Sequence, residues 1–386
     1  MAGGQSFSLY LHIPYCASKC PYCDFNVRVV AKIPEREYCD ALVSELKFYS
    51  RLDDWRGRVL KSVFFGGGTP SMFSPQSLGR VLDAAGSHFA FTDDVEITLE
   101  ANPEDRKNFS GYRSCGINRL SLGVQSFEPR LLKFLGRLHS ADETRVALKT
   151  IRQAGFENFS MDLIYAVPGE SLADLQADLT EASAWQPPHL SAYNLTIEER
   201  TVYHHWLKHG KIRPLLEDEE IAMAALIEET LSRAGLERYE ISNYARPGRQ
   251  SKHNSTYWQG GDYLGIGAGA HSFLRRDGNG DLALRWHEEK SPARYMEKVE
   301  REGTAVVESE SLDRTKAAGE FMFMGLRMMQ GVSVEDFIRR FGQKPAELYP
   351  QISTWLEEGL MESRDAGLRL TRRGLMLADE IFVAFV

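Results

Sequence analysis

Short apolar runs alternate with longer, polar-faced segments over about 200 residues of the chain. The runs are rich in β-branched and aromatic residues, which predicts strands at 7–12, 62–65, 95–100, 119–124, 159–165 and 189–195. The segments between them have the length of helices, and strands that alternate with helices form parallel βα units. The pattern therefore predicts an α/β fold with a full or partial (β/α) barrel, in which chemistry gathers at the carboxyl ends of the strands.

A change of pattern after residue 290 predicts a second, smaller unit. Helical spacing appears at 317–329, 333–341 and 348–358, and a hairpin pattern follows at 368–371. This order predicts a small helical, winged-helix-like domain at 313–386, preceded by a connector at 291–312 and a barrel domain at 1–290. Acidic and basic residues nearly balance in the small domain, so we expect no nucleic acid among the partners.

Three of the five cysteines, Cys16, Cys20 and Cys23, stand within eight residues. Three thiolates can hold three corners of a [4Fe–4S] cluster and leave one iron open, whereas a centre used for electron transfer takes four cysteines. Zinc and a redox dithiol are the alternatives that the residues leave open. Zinc sites usually have a second pair of cysteines, and a dithiol gives no reason for a third one. The spacing therefore favours a cluster.

Glycine and polar residues follow the carboxyl ends of the predicted strands. The run Gly66-Gly67-Gly68-Thr69-Pro70 ends the second strand, Glu100 ends the third, Gln125 follows the fourth and Asp162 lies in the fifth. Because the carboxyl ends of parallel strands meet at one edge, we expect these residues to line one site with the cysteines. Consecutive glycines allow the backbone to approach a ligand closely.

Length and charge limit the protein class. The chain has 386 residues with 43% hydrophobic content, which suffices for a large core and a smaller domain. Its net charge of −8 argues against non-specific nucleic-acid binding. It shows no signal peptide and no apolar run of membrane-spanning length, and its odd number of cysteines does not form a disulfide framework. We therefore expect a cytoplasmic protein without a transmembrane segment.

Five segments together resemble the radical S-adenosylmethionine (SAM) superfamily: LYLHIPYCASKCPYCDF, FFGGGTPS, TLEANPE, LSLGVQSF and MDLIYAVPGE. The resemblance implies that Cys16, Cys20 and Cys23 hold a [4Fe–4S] cluster whose open iron binds the amino and carboxylate groups of SAM. It assigns contacts with SAM to Tyr10, Tyr22, Gly67, Gly68, Thr69, Glu100, Gln125, Arg137 and Asp162. Each residue alone is consistent with a purely structural role. Their occurrence together, at the spacing of the family, is what supports a role in binding SAM.

Within the superfamily the chain is similar to the HemN-like group, from about residue 9 to the carboxyl end. This group contains an oxygen-independent coproporphyrinogen III oxidase and haem chaperones of the HemW type. The oxidase has a further cysteine where this chain has Phe25, and it has a long amino-terminal extension where this chain has about eight residues. The segment HNSTYW, which begins at His253, resembles the HNxxYW haem-binding motif of the chaperones. The resemblance therefore favours the chaperones.

The resemblance implies a protein that binds haem through His253 and delivers it to haem-accepting proteins, with an electron donor for the cluster. His271 is a second candidate for haem and could instead line the SAM pocket. The alternatives are the oxidase, which decarboxylates its substrate by radical chemistry, and, more weakly, a radical enzyme that modifies nucleic acid. The sequence leaves open whether SAM is cleaved. It also leaves the oligomeric state open, a homodimer included.

Overall fold

The computed structural model describes residues 5–276 and 282–385. Residues 1–4, which belong to the segment for which no signal peptide is predicted, lie outside this range. The strands are β1 (Ser6–Ile13), β2 (Val59–Gly67), β3 (Ala90–Ala101), β4 (Arg119–Gln125), β5 (Asn158–Tyr165), β6 (His189–Asn194), β7 (Glu237–Arg238), β8 (Asn243–Ala245), β9 (Tyr263–Ile266), β10 (His271–Arg275), β11 (Ala283–Glu288), β12 (Val306–Leu312), β13 (Val332–Ser333), β14 (Met361–Arg364) and β15 (Gly367–Leu370).

The helices fill the connections between these strands and form most of the carboxyl-terminal part. They are α1 (Glu35–Tyr49), α2 (Pro75–His88), α3 (Phe109–Ser114), α4 (Pro129–Phe134), α5 (Ala141–Gln153), α6 (Leu172–Ala184), α7 (Val202–Lys208), α8 (Glu217–Arg233), α9 (Lys252–Trp258), α10 (Pro292–Glu302), α11 (Arg314–Gly325), α12 (Val334–Phe341), α13 (Pro345–Leu348), α14 (Gln351–Glu357), α15 (Arg372–Met376) and α16 (Ala378–Val383). None of the helices in the described ranges is both long and apolar enough to cross a membrane.

One large sheet carries the α/β fold. Its strand order is β12-β11-β10-β9-β1-β2-β3-β4-β5-β6-β8-β7. The strands from β1 to β6 are parallel in sequence order, and each predicted strand coincides with one of them. The predicted α/β class is confirmed. The order β1 to β6 places the carboxyl ends of all six strands at one edge, as in a partial barrel.

The sheet extends further than the sequence pattern indicated. Strand β9 pairs in parallel with the other side of β1, and β10, β11 and β12 follow as an antiparallel extension. Residues 291–312, expected as a connector, contain α10 and β12, and β12 is the edge strand of the same sheet. Most charged residues of this region lie on α10, and the others lie on β12 at the edge of the sheet, so their pattern in the sequence resembles that of a linker. The division into domains stays a prediction.

The carboxyl-terminal part has its own hydrophobic core, formed by α11 to α16 and a small antiparallel sheet in the order β13-β15-β14. The predicted hairpin is β14 and β15, and helices precede it as in a winged helix. Ala283 of β11 and Leu312 of β12 belong to this core, so the small unit packs on the antiparallel extension. A bridge between Glu240 and Met328 also joins it to the large sheet.

Candidate functional site

The cysteine loop begins directly after β1, at the carboxyl edge of the sheet. The Cys16 amide donates to the Arg28 carbonyl at 3.0 Å, which closes the loop at its base. Cys16, Cys20 and Cys23 are free thiols, half-buried, and line one cavity of about 580 Å³. Within residues 5–276 and 282–385, no group of three His, Cys, Asp or Glu side chains is arranged to hold a single metal ion.

The thiols receive two polar contacts from the protein. Thr69 Oγ1 donates to Cys16 Sγ at 3.5 Å, and Arg137 Nη1 donates to Cys20 Sγ at 3.6 Å. Burial raises the pKa of the Cys16 and Cys23 thiols, so they hold their protons until a metal displaces them. Three thiols, two of which accept from protein donors, are a ligand set that an iron–sulfur cluster takes. The residues present therefore fit such a cluster.

The glycine-rich segment 66–70, at the carboxyl end of β2, packs against the residues that lead into the cysteine loop. The amides of Gly68 and Thr69 donate to the carbonyls of Ile13 and Tyr15, at 2.8 and 2.7 Å. A Cβ atom on Gly68 would stand 2.6 Å from the Tyr15 carbonyl oxygen, so only glycine permits this approach. Because these amides are already bonded, the groups that the run can offer a ligand are carbonyl oxygens. Carbonyl oxygens are acceptors and suit an ammonium group.

Two carboxylates face the same cavity from β3 and β5. Glu100 Oε2 accepts from the Gly67 amide at 3.0 Å. Burial, together with the charge of Asp162, raises the pKa of Glu100 to about 7. Asp162 accepts from three serine hydroxyls at 2.7 to 2.8 Å, from Ser121, Ser160 and Ser191. Four lone pairs are available on a carboxylate, so Asp162 keeps one acceptor position for a ligand and Glu100 keeps three.

Arg137 supplies a cation to the cavity, as do Lys19 and Arg119. Its Nη2 donates to Asn102 Oδ1, and among the described residues its buried Nε has no hydrogen-bond partner. Gln125 ends β4 in a left-handed backbone conformation, with φ of 65°. A Cβ atom on Gly123 would lie 2.9 Å from Gln125 Nε2 and 3.3 Å from Arg137 Nη2, so this glycine leaves space for both side chains. The unpaired guanidinium nitrogen can bind an anionic group.

The remaining predicted contacts lie on the cavity walls. Tyr22 packs on Tyr203 of α7, with ring centroids 6.2 Å apart, and so ties the cysteine loop to that helix. The Tyr10 hydroxyl bonds to His12 Nδ1 at 3.0 Å. The structure thus brings all the predicted cluster and SAM residues together around one cavity. The assignment of a contact to each of them stays a prediction.

His253 lies in the wall of this cavity and is 1% exposed. Its Nδ1 bonds to Ser62 Oγ at 2.9 Å and its Nε2 to the Tyr257 hydroxyl at 2.7 Å. Burial, together with the charge of Lys61, lowers the pKa of His253 to about 3, so the ring is neutral. Both ring nitrogens are therefore engaged within the protein.

Several residues that line the cavity were not predicted, among them Asn102, Ser121, Ser191 and Tyr193. Asn102 lies two residues after Glu100 in the segment TLEANPE, so the sequence contained the information needed to predict it. Ser191 stands opposite Asp162 in the register of β5 and β6. That register becomes visible only when the strands are paired.

The fold and the three-cysteine cavity define a radical SAM protein. The sequence model of the Radical SAM superfamily matches residues 10–182, and that of the HemN C-terminal domain matches 312–377. A radical SAM domain implies a [4Fe–4S] cluster and SAM. The solved structure of coproporphyrinogen III oxidase HemN from Escherichia coli superposes on this chain with a TM-score of 0.83 and 22% identity. The match covers 99% of this chain and 90% of the HemN chain. That likeness shows the fold.

The sequence relatives are more specific. Heme chaperone HemW of Bacillus subtilis is 32% identical over 98% of this chain and 99% of its own length. Heme chaperone HemW of Escherichia coli is 34% identical over 98% of both chains. The chain belongs to the HemW family.

Proposed function

We propose that this protein is a haem chaperone, which binds haem and transfers it to acceptor proteins. The observation that carries the proposal is the match to relatives named heme chaperone HemW over 98% of the chain, carboxyl-terminal part included. The exposed Phe25, in the position where the oxidase has a cysteine, supports the same choice.

Within this proposal, Cys16, Cys20 and Cys23 hold the cluster and leave one iron for SAM. The carbonyl oxygens of the glycine run and the free acceptor positions of Glu100 and Asp162 receive the ammonium and ribose hydroxyls of SAM. Arg137 faces its carboxylate, and Tyr10, Tyr22 and Gln125 complete the walls. A bound cluster supplies an electron to SAM, and an external donor replaces that electron.

Haem contact through His253 is the finer part of the proposal. The HNxxYW resemblance supports it, and Tyr257 of the same motif lies in the wall beside it. Since Tyr257 holds His253 Nε2, ligation of iron by this nitrogen requires the Tyr257 hydroxyl to move away first.

The test uses anaerobically reconstituted protein with its cluster. A titration with hemin, followed by addition of apomyoglobin as a generic acceptor, should give a ligand-bound Soret band that then shifts to that of myoglobin. Reductant, SAM and coproporphyrinogen III should yield no decarboxylated product. A protein that leaves hemin unbound and forms that product is an oxidase, and the chaperone proposal is then wrong.

A further inference from the structure

A second cavity, of about 810 Å³, lies between strands β9 and β10 and helices α11 and α12. Tyr10 and Tyr257 line both cavities, so they form a shared wall between the cluster site and this space. We propose that haem binds in this second cavity and that His271, in place of His253, provides its axial ligand. The inference rests on the proposed function and names the place where that function occurs. The volume falls within the roughly 300–1,000 Å³ of cofactor sites.

The cavity has a continuous aromatic floor. Tyr263 of β9 and Phe273 of β10 stand opposite each other in register, with their rings stacked at 19° and 6.2 Å between centroids. Tyr257 meets Tyr263 edge to face at 4.6 Å. Phe321 of α11 faces the same space from the other side. Flat apolar surfaces on two sides suit a planar macrocycle.

Strand β10 presents three different groups on one face. Alternate residues of a strand point to the same side, and His271, Phe273 and Arg275 all line the cavity while Ser272 and Leu274 are buried on the other side. His271 and Arg275 are four residues apart, which corresponds to about 13 Å along the strand. The face therefore offers a metal ligand and an apolar surface, followed by an arginine that is paired with Asp262.

The three histidines near the shared wall differ in what their nitrogens do. His12 bonds to Tyr10 and to the Asn26 carbonyl, and His253 bonds to Ser62 and Tyr257, so both rings are fully engaged. His271 is exposed to the cavity, and within residues 5–276 and 282–385 its ring makes no hydrogen bond. Burial and nearby cations lower its pKa, which favours the neutral imidazole that binds iron. His271 is the ring that can bind iron without rearrangement.

The opposite end of the cavity is cationic. Arg340 lies over the ring of Phe321 at 4.5 Å and donates to the Gly260 carbonyl at 3.2 Å. Burial lowers its pKa, and the charges of Arg275 and Arg339 lower it further. Among the described residues Arg340 forms no ion pair. Arg275 and Arg339 pair with Asp262 and Asp336, whereas Arg340 can receive an anionic group, and the propionates of haem are carboxylates.

Titrations with hemin and with iron-free protoporphyrin IX test iron ligation separately from binding of the propionates. Both molecules have the same macrocycle and carboxylates, but only hemin has an iron that can take an axial ligand. In reconstituted protein, His271→Ala should weaken hemin binding by about tenfold or more and change the Soret band, while protoporphyrin IX binds as in the wild type. His287→Ala is the matched control, since its ring stands 5.2 Å from that of His271 and outside the cavity. It should change neither titration.

Arg340→Gln should weaken both porphyrins by about tenfold, through the loss of a charged hydrogen bond. Arg373→Gln is its control, since Arg373 lies in the same small unit and bonds to a backbone carbonyl. The inference is wrong if His253→Gln removes the ligand-bound band and His271→Ala keeps it, or if Arg340→Gln leaves both titrations unchanged. A wild-type protein that binds no hemin at all instead contradicts the proposed function.

Discussion

The two cavities on either side of Tyr10 and Tyr257 are built in different ways. The cluster cavity takes its chemistry from turns that follow successive parallel strands, so each functional group lies in a short local motif. The second cavity is assembled from β9, β10, α11 and α12 and the loop before β9, where Gly260 accepts from Arg340 of α12, 80 positions away. Short sequence motifs therefore predict the first cavity, whereas the second forms only through tertiary packing and is not visible in the sequence.

The two cavities also differ in charge. The first has charges of both signs, with Glu100 and Asp162 as well as Arg137 in its walls, as a zwitterion such as SAM requires. The second has Arg340 on an aromatic surface, with Arg275 and Arg339 paired to Asp262 and Asp336 and with Glu320 as its one lining carboxylate among the described residues. Two chemically distinct ligands can therefore be held next to each other, and variants should affect one without the other.

The largest effect is expected from Cys16→Ala. Removal of one of three ligands should bring iron and acid-labile sulfide per chain close to zero after anaerobic reconstitution. Cys115→Ser is the control, because Cys115 donates to a backbone carbonyl and lies away from the cavity. Hemin affinity should stay near that of the wild type. Loss of hemin binding together with the cluster would mean that the two cavities do not act independently.

Next in size is a difference between the two carboxylates of the first cavity. Glu100 has three acceptor positions free of protein donors, whereas the serine hydroxyls leave Asp162 only one. Glu100→Gln should therefore weaken SAM binding by about tenfold or more, and Asp162→Asn by less. Equilibrium binding of SAM to the reconstituted variants measures both. A larger loss with Asp162→Asn would reverse the assignment of the main acceptor.

The same contrast explains what the sequence could predict. The six parallel strands and the residues at their carboxyl ends were predictable, because strand and turn patterns are local. Strand β9 was missed since it is short and lies in a glycine-rich run, and β10 to β12 because their exposed faces are charged. The bonds of His253 could not be foreseen, since Ser62, which holds its Nδ1, is 191 positions away.

Two glycine variants test whether the cysteine loop depends on backbone contact. Gly68→Ala places a Cβ against the Tyr15 carbonyl and should destabilise the protein by about 1–3 kcal/mol. Gly86→Ala, on the exposed side of α2, has only an ordinary contact at 3.8 Å and should be neutral or stabilising by up to about 1 kcal/mol. Urea denaturation measures both, and SAM binding should fall only for Gly68→Ala. Equal stability of the two variants would show that the loop adapts.

The smallest expected effect concerns the support beneath the second cavity, where Glu45 and Glu288 are buried side by side. Glu45 accepts from the Tyr295 hydroxyl at 2.5 Å and from the Gly267 amide at 3.2 Å, and the Glu288 amide donates to the Ala270 carbonyl at 2.9 Å. These bonds fix the turn that leads into His271. Burial raises the pKa of both carboxyls, and the charge of Glu45 raises that of Glu288 further.

Because the folded protein keeps a proton on this pair that the unfolded chain releases, stability should fall as the pH rises. The stabilisation is fully present below the ordinary glutamate pKa of 4.5 and is lost as the pair ionises, at a slope of up to about 1.4 kcal/mol per pH unit for one proton. Glu288→Gln should flatten the slope, since its amide donates to Glu45 without titrating. Glu289→Gln should keep the wild-type slope, because hydrogen bonding from the Ser291 amide lowers the pKa of Glu289. Urea denaturation between about pH 6 and about pH 9 measures the three slopes, and identical slopes would rule out a shared proton.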